Sequence, residues 1–141
     1  MASYWVMKTY KDWADSFIAN EEVGFDEDGV DKNYKDYTKS NPPIDNERLL
    51  RRFNQFCKWA KIGDYVIVGI GQIGKFNIKL IGRIVGNYNF DANKTPYRHS
   101  RKIEIMKVFD EGIEIEKWSQ VQRIELVDNN DFIDTLVNYC C

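Results

Sequence analysis

Two adjacent apolar runs, YVIVGI at residues 65–70 and NIKLIGRIVGN at residues 77–87, constrain this chain more than any other feature. Both are rich in β-branched residues. The first reads as a buried strand, and the second is apolar on both faces. Gly82 and Gly86 interrupt the second run. Glycine inside a strand gives up side-chain packing and often marks a sharp bend, as a small barrel requires. A glycine-rich turn at residues 71–75 joins the two, so the sequence predicts a bent strand pair within a small curved barrel.

The flanking segments fit round that pair. Residues 3–9 (SYWVMKT) predict an opening strand, and residues 11–20 a short helix presenting Trp13, Phe17 and Ile18. Residues 21–44 are the least regular part, acidic and closed by Pro42-Pro43. A connection of that length in a compact domain is usually functional or mobile. Asp45 or Asn46 then caps a helix running to about Lys61, with Leu49, Leu50, Phe53, Phe56, Cys57 and Ala60 at helical spacing. Arg48, Arg51, Arg52, Gln55 and Lys58 form its outer face. Residues 87–97 read as a polar-aromatic loop and 98–109 as a strand. Asp110-Glu111-Gly112 reads as a hairpin turn, and residues 113–127 as one or two more strands. Asn130 caps a closing helix carrying Phe132, Ile133, Leu136, Val137 and Tyr139. There is no internal repeat and no regular βα alternation. The chain, residues 1–141, is therefore expected to be one α+β domain, a small curved barrel of about five or six strands with flanking helices.

Charge is unevenly placed along it. Residues 48–107 hold 13 of the 20 Lys and Arg residues against three acids, while 1–47 and 108–141 are each −6. Counterion release from phosphates rewards local cationic density. The competing reading is ordinary solvated faces, and an aromatic share of 14% shifts the balance towards a nucleic-acid partner. Cys57, Cys140 and Cys141 have no zinc spacing, and Cys57 sits in an apolar stripe, so reduced thiols and a cytoplasmic setting are expected. No signal peptide or membrane-spanning run is read in the sequence, and no membrane partner is expected.

Catalytic and cofactor motifs fail on inspection. Gly69-Ile-Gly71-Gln-Ile-Gly74-Lys75-Phe76 fits two nucleotide-binding patterns. Both need a helix to start there, whereas strand-like FNIKLIGRIV follows, and Phe76 lacks the hydroxyl that binds magnesium. His99, the only histidine, lies among Arg98, Arg101 and Lys102, where a phosphate or structural role fits better than that of a general base. No carboxylate-x-lysine signature is present. A non-catalytic reader with no cofactor and no metal is expected.

Four stretches in order resemble the EVE and YTH-like branch of the PUA-type barrels, especially the modified-DNA recognition domains that precede McrB-type restriction ATPases. Tyr4–Tyr10 is similar to that group's opening strand, and Val23-Gly24-Phe25 with the acidic residues 26–28 to a segment reading Ile-Gly-Trp. Lys61-Ile-Gly63-Asp64 resembles the entry to the second strand. Ile81-Gly82-Arg83 through Tyr88 and Phe90, then His99-Ser-Arg101, resembles a further pair of motifs. The resemblance implies a modified, methylated base held in an aromatic pocket. Phe25 then matches the first cage tryptophan, Tyr88 and Phe90 an aromatic pair, and Thr9 and Asp28 polar positions at base edges. Phenylalanine in place of tryptophan at position 25 leaves the particular modification open.

To this set the residues themselves add Tyr97, on the loop expected to close over the pocket. Lys75, Lys79, Arg83, Arg98, His99, Arg101 and Lys102 are the expected phosphate contacts. Trp5 and Trp59 are expected to pack in the interior. The leading expectation is recognition of modified DNA, the base flipped out, as the specificity module of a restriction system with nuclease and ATPase elsewhere. RNA reading in the YTH manner is the alternative, followed by a protein-interaction scaffold built on the acidic flanks.

Overall fold

The computed structural model describes residues 2–37, 44, 46–72, 75–115, 123–128 and 130–140. In chain order the elements are β1 (Tyr4–Thr9), α1 (Lys11–Asn20), β2 (Glu22–Phe25), a 3-10 turn (Tyr34–Asp36) and α2 (Glu47–Asn54), which runs on into a π-helical turn (Gln55–Trp59). Then come β3 (Tyr65–Gln72), β4 (Lys75–Ile84), β5 (Asn89–Phe90), β6 (His99–Ile115), β7 (Ile124–Val127) and α3 (Asn130–Cys140). The strands form one curled half-barrel sheet in the order β2-β6-β4-β3-β1-β7, with the short β5 also on β6. β1 and β3 run parallel, Tyr4 opposite Tyr65 and Thr9 opposite Ile70, and β7 adds antiparallel to the other edge of β1. The α+β class predicted from sequence is the observed one.

Alternation along the central strands explains the continuous apolar runs, because both faces are covered. Trp5, Met7, Val66, Val68, Leu80 and Ile84 point to one side, where Phe17 of α1, Leu49 and Phe53 of α2 and Phe56 of the π turn meet them. Val6, Ile67, Phe76, Ile78, Ile81 and Val127 point to the other, with Ile133 of α3 packed against them. The predicted bend is present: the register of β4 against β6 shifts between Ile81 and Gly82. A side chain at Gly82 would bring its Cβ to 2.8 Å from Ile103 Cδ1.

Asn46 caps α2, its Oδ1 accepting from the amides of Arg48 and Leu49 at 3.0 and 3.2 Å. The helix then widens, the Ala60 amide donating to the Gln55 carbonyl at 2.9 Å. Trp5 is interior as expected, and its indole N–H donates to Asp64 at 3.0 Å. Trp59 is not: it is 45% exposed at the end of the π turn.

Three segments differ from expectation. In residues 87–97, read as a loop, Asn89–Phe90 forms the two-residue strand β5 on β6. Within the irregular stretch 21–44, Glu22–Phe25 forms a strand with all four residues buried against β6. Its Gly24 lies flat on the Tyr97 ring, where any Cβ would overlap the ring atoms. And Asp110-Glu111-Gly112 does not reverse the chain. Ile78 pairs with Ile113 and Leu80 with Val108, so residues 109–112 loop out of a continuous β6, with Gly112 at φ +75°. The glycine motif sits where β3 and β4 pair, Gln72 opposite Lys75, and no helix follows it. Pro42, Pro43, Asp45, Ile73, Gly74 and residues 116–122 lie outside the described residues, as do Cys141 and the side chains of Cys140, Phe132, Leu136, Val137 and Tyr139. Among the described residues no helix is long and apolar enough to cross a membrane.

Candidate nucleic-acid interface

β1 ends at Thr9 and α1 begins at Lys11, leaving Tyr10 extended at the corner and 54% exposed. One helical turn on, the half-buried Trp13 meets the Tyr10 ring edge-on at 5.5 Å and 77°, backed by Tyr97 at 5.5 Å. Arg123, entering β7, lies over Tyr10, its guanidinium carbon 5.5 Å from the ring centroid and Nη2 donating to the hydroxyl at 2.8 Å. Facing these rings are Asp26, Glu27 and Asp28 after β2, with the cap Asn46 and with Leu49 and Arg52 of α2. Together they enclose a cleft of about 370 Å³. Arg52 grips Glu27 through Nε and Nη2, both at 2.8 Å, and Arg98 grips Asp26. Asp28 is exposed at the rim with no ion pair to a described residue.

Two further clefts adjoin it. One of about 250 Å³, lined by Lys8, Thr9, Lys11, Ile70 and Gly71, shares Tyr10 and Arg123. The other, about 310 Å³, runs between α2 and β7 and shares Arg52. Exposed aromatic surface beside guanidinium and ammonium groups is the surface chemistry that single-stranded nucleic acids bind, through stacking and phosphate contact.

The predicted pocket residues do not converge. Phe25 is interior, 3% exposed, because β2 pairs with β6 and turns the ring under α2. It stacks on Phe56 at 5.6 Å and Phe53 at 6.0 Å. Tyr97 is fully buried, its hydroxyl donating to Glu22 at 2.7 Å and its ring against Phe17 and Trp13. Tyr88 and Phe90 are half-buried and gather round His99, at 5.7 and 5.0 Å. Thr9 and Asp28 do line clefts, on either side of Tyr10.

Of the predicted phosphate contacts, Arg101 and His99 are corrected outright. Arg101 is 4% exposed and donates to the carbonyls of Gly86, Phe56 and Ala60. Its charge closes main-chain groups at the end of the π turn. His99 is fully buried. Arg98 is held by Asp26, Lys75 pairs with Glu114 at 2.7 Å, and the exposed Lys102 reaches Glu22 at 3.6 Å. Lys79 is half-buried and Arg83 exposed, both on β4.

The family model of a domain of unknown function, DUF8426, matches residues 9–126. The chain belongs to the DUF8426 family. No curated protein matches it. Its fold is shared with solved structures of similar length. The YTH domain of Zygosaccharomyces rouxii MRB1, in complex with N6-methyladenosine RNA, aligns at TM-score 0.60 and 11% identity over 98% of this chain and 86% of that one. The MmI1 YTH domain aligns at 0.56 and 14%, over 98% and 96%. A hypothetical protein from Leishmania major aligns at 0.56 and 12%, over 98% and 94%. At such identities the likeness is one of fold: the fold of this DUF8426 chain is YTH-like.

The buried histidine of this DUF8426 chain has a structural task. A carbonyl only accepts, so His99 Nε2–H donates to Val30 O at 2.6 Å, leaving Nδ1 to accept from the Tyr88 hydroxyl at 2.7 Å. That hydroxyl accepts in turn from the Tyr34 amide at 3.0 Å. The network pins the 3-10 segment to β6. Burial pulls the imidazole below its ordinary value of 6.5, outweighing the Val30 hydrogen bond. The unfolded chain therefore binds a proton that the folded chain refuses, so stability is lost as pH falls through the unfolded value. Urea midpoints are expected to drop between pH 7.5 and 5.5, with a flatter profile in His99→Gln; equal slopes in the two proteins would contradict the assignment.

Tyr10, Trp13 and Arg123 are the functional candidates that sequence reasoning missed. Trp13 reads as an ordinary apolar helix position, and Arg123 stands among acidic neighbours. The available signal was two aromatics three residues apart across a strand–helix corner.

Proposed function

We propose that this DUF8426 chain is a non-catalytic reader that takes a modified, methylated base of a single RNA strand against Tyr10 and Trp13. The observation that carries the reading is the corner itself: an exposed tyrosine under a guanidinium, set edge-on to a half-buried tryptophan, in a cleft with a carboxylate rim. The YTH-like fold supports RNA as the substrate, one such domain having been solved with N6-methyladenosine RNA. Stacking supplies about 1–3 kcal/mol per base. A buried methyl adds about 0.8 kcal/mol, roughly a fourfold preference. Asp28 at the rim, and Thr9 if the strand crosses the corner, offer hydrogen-bond partners to a base edge. His99, with both ring nitrogens engaged, supports binding over acid–base chemistry.

Titration with matched methylated and unmodified RNA and DNA oligonucleotides tests this. Methylated RNA is expected to bind at least about fourfold tighter than unmodified RNA, with affinity falling steeply with salt. A preference for methylated DNA would instead favour the role expected of a restriction specificity module. Equal binding of all four would sink the modified-base reading.

A further inference from the structure

The arginine cleft between α2 and β7 has features that the base corner does not explain. Arg48, Arg51 and Arg52 stand at helical spacing on one wall, with Ile124 and Glu125 opposite. Arg52 is neutralised by Glu27, but Arg48 and Arg51, both exposed, have no acidic partner among the described residues. Like charges three and four residues apart on a helix repel each other mildly, so a bound anion relieves them. At the floor lies Gln55, only 5% exposed. Its main-chain carbonyl accepts from Ala60, but its carboxamide makes no hydrogen bond to a described residue. Buried polar groups normally find a partner, and one left without is costly enough to point to a ligand. A carboxamide offers a donor and an acceptor together, which matches the edge of a nucleobase. Glu125 opposes an anion on the β7 side, so a phosphate belongs against α2.

We propose that this cleft is a second nucleotide subsite: Arg48 and Arg51 hold phosphates of the bound strand, and Gln55 reads the edge of the base next to the modified one. The proposal rests on the reading of the chain as a nucleic-acid reader. Arg52 is the shared wall between the two clefts, so one strand occupies both without leaving the surface. The volume of about 310 Å³ is at the lower end of the range for small-ligand sites.

The test is anisotropy titration with eight-nucleotide RNAs carrying one methylated base, with each of the four bases in turn beside it. Arg48→Ala/Arg51→Ala is expected to weaken all of them, and to lower the slope of log K against log salt by about 1.4, at 0.7 per phosphate. The preference for the methylated base should persist. Gln55→Met, of similar size, should flatten the preference at the neighbouring position by about two- to tenfold without changing the salt slope. Melting curves of each variant separate misfolding from loss of binding. If the intact protein binds these RNAs but the double variant keeps its affinity and slope, the subsite is overturned and the base corner stands. If the intact protein shows no neighbour preference, the role of Gln55 is overturned. If it binds no oligonucleotide, both readings fall.

Discussion

Arg101→Glu is expected to unfold the domain, not merely to weaken a ligand. The guanidinium is 4% exposed and donates to three main-chain carbonyls, those of Gly86, Phe56 and Ala60. Removing it leaves buried acceptors unpaired, at about 1–3 kcal/mol each. The new carboxylate would face those same oxygens with no proton to offer. Burying an unpaired carboxylate there adds a desolvation cost of several kcal/mol, against a total stability of about 5–15 kcal/mol for a domain. Arg101→Lys should also fail in part, because one ammonium lacks the planar fork that reaches both Gly86 and the end of the π turn. Lys102→Glu, one residue away with its side chain 65% exposed, should melt close to the parent. Thermal melts followed by circular dichroism decide this; a parent-like Arg101→Glu would contradict the buried placement.

Phe25→Ala is expected to cost about 3–5 kcal/mol, the range for emptying a buried phenylalanine site. Its ring is stacked on Phe53 and Phe56 and tilted against His99, so the cavity would open beneath α2. Phe25→Trp should destabilise as well, by about 1–3 kcal/mol, because the site is already filled. A cage residue would behave in the opposite way, with stability unchanged and base preference lost. Urea unfolding of the three proteins distinguishes the cases.

The central sheet was legible because its strands are buried on both faces, and Gly82 marked a bend that the β4–β6 register confirms. Glu22–Phe25 escaped notice because its buried members include a glutamate and a glycine, which carry no apolar pattern. Glu22 is satisfied there by Tyr97 and Lys94, partners more than 70 residues away that no local reading anticipates. Charge misled for a similar reason. The basic stretch 48–107 includes Arg101 and Arg98, whose charges are used internally. The cations that stay at the surface on α2 are joined by Arg123 from an acidic flank, brought alongside only because β7 pairs with β1. The resemblance placed an aromatic at position 25, but pairing to β6 directs that ring inward. The aromatic surface lies instead one corner away, at Tyr10 and Trp13.

The claim that the Tyr10–Trp13 corner receives a base is tested most directly by following indole N–H resonances of ¹⁵N-labelled protein during titration with methylated RNA. The Trp13 signal is expected to shift progressively to saturation. The Trp5 signal, buried and bonded to Asp64, should stay in place, and Trp13→Ala should lose about 1–3 kcal/mol of affinity while melting as a folded domain. Saturable RNA binding that leaves the Trp13 resonance unmoved would contradict the account.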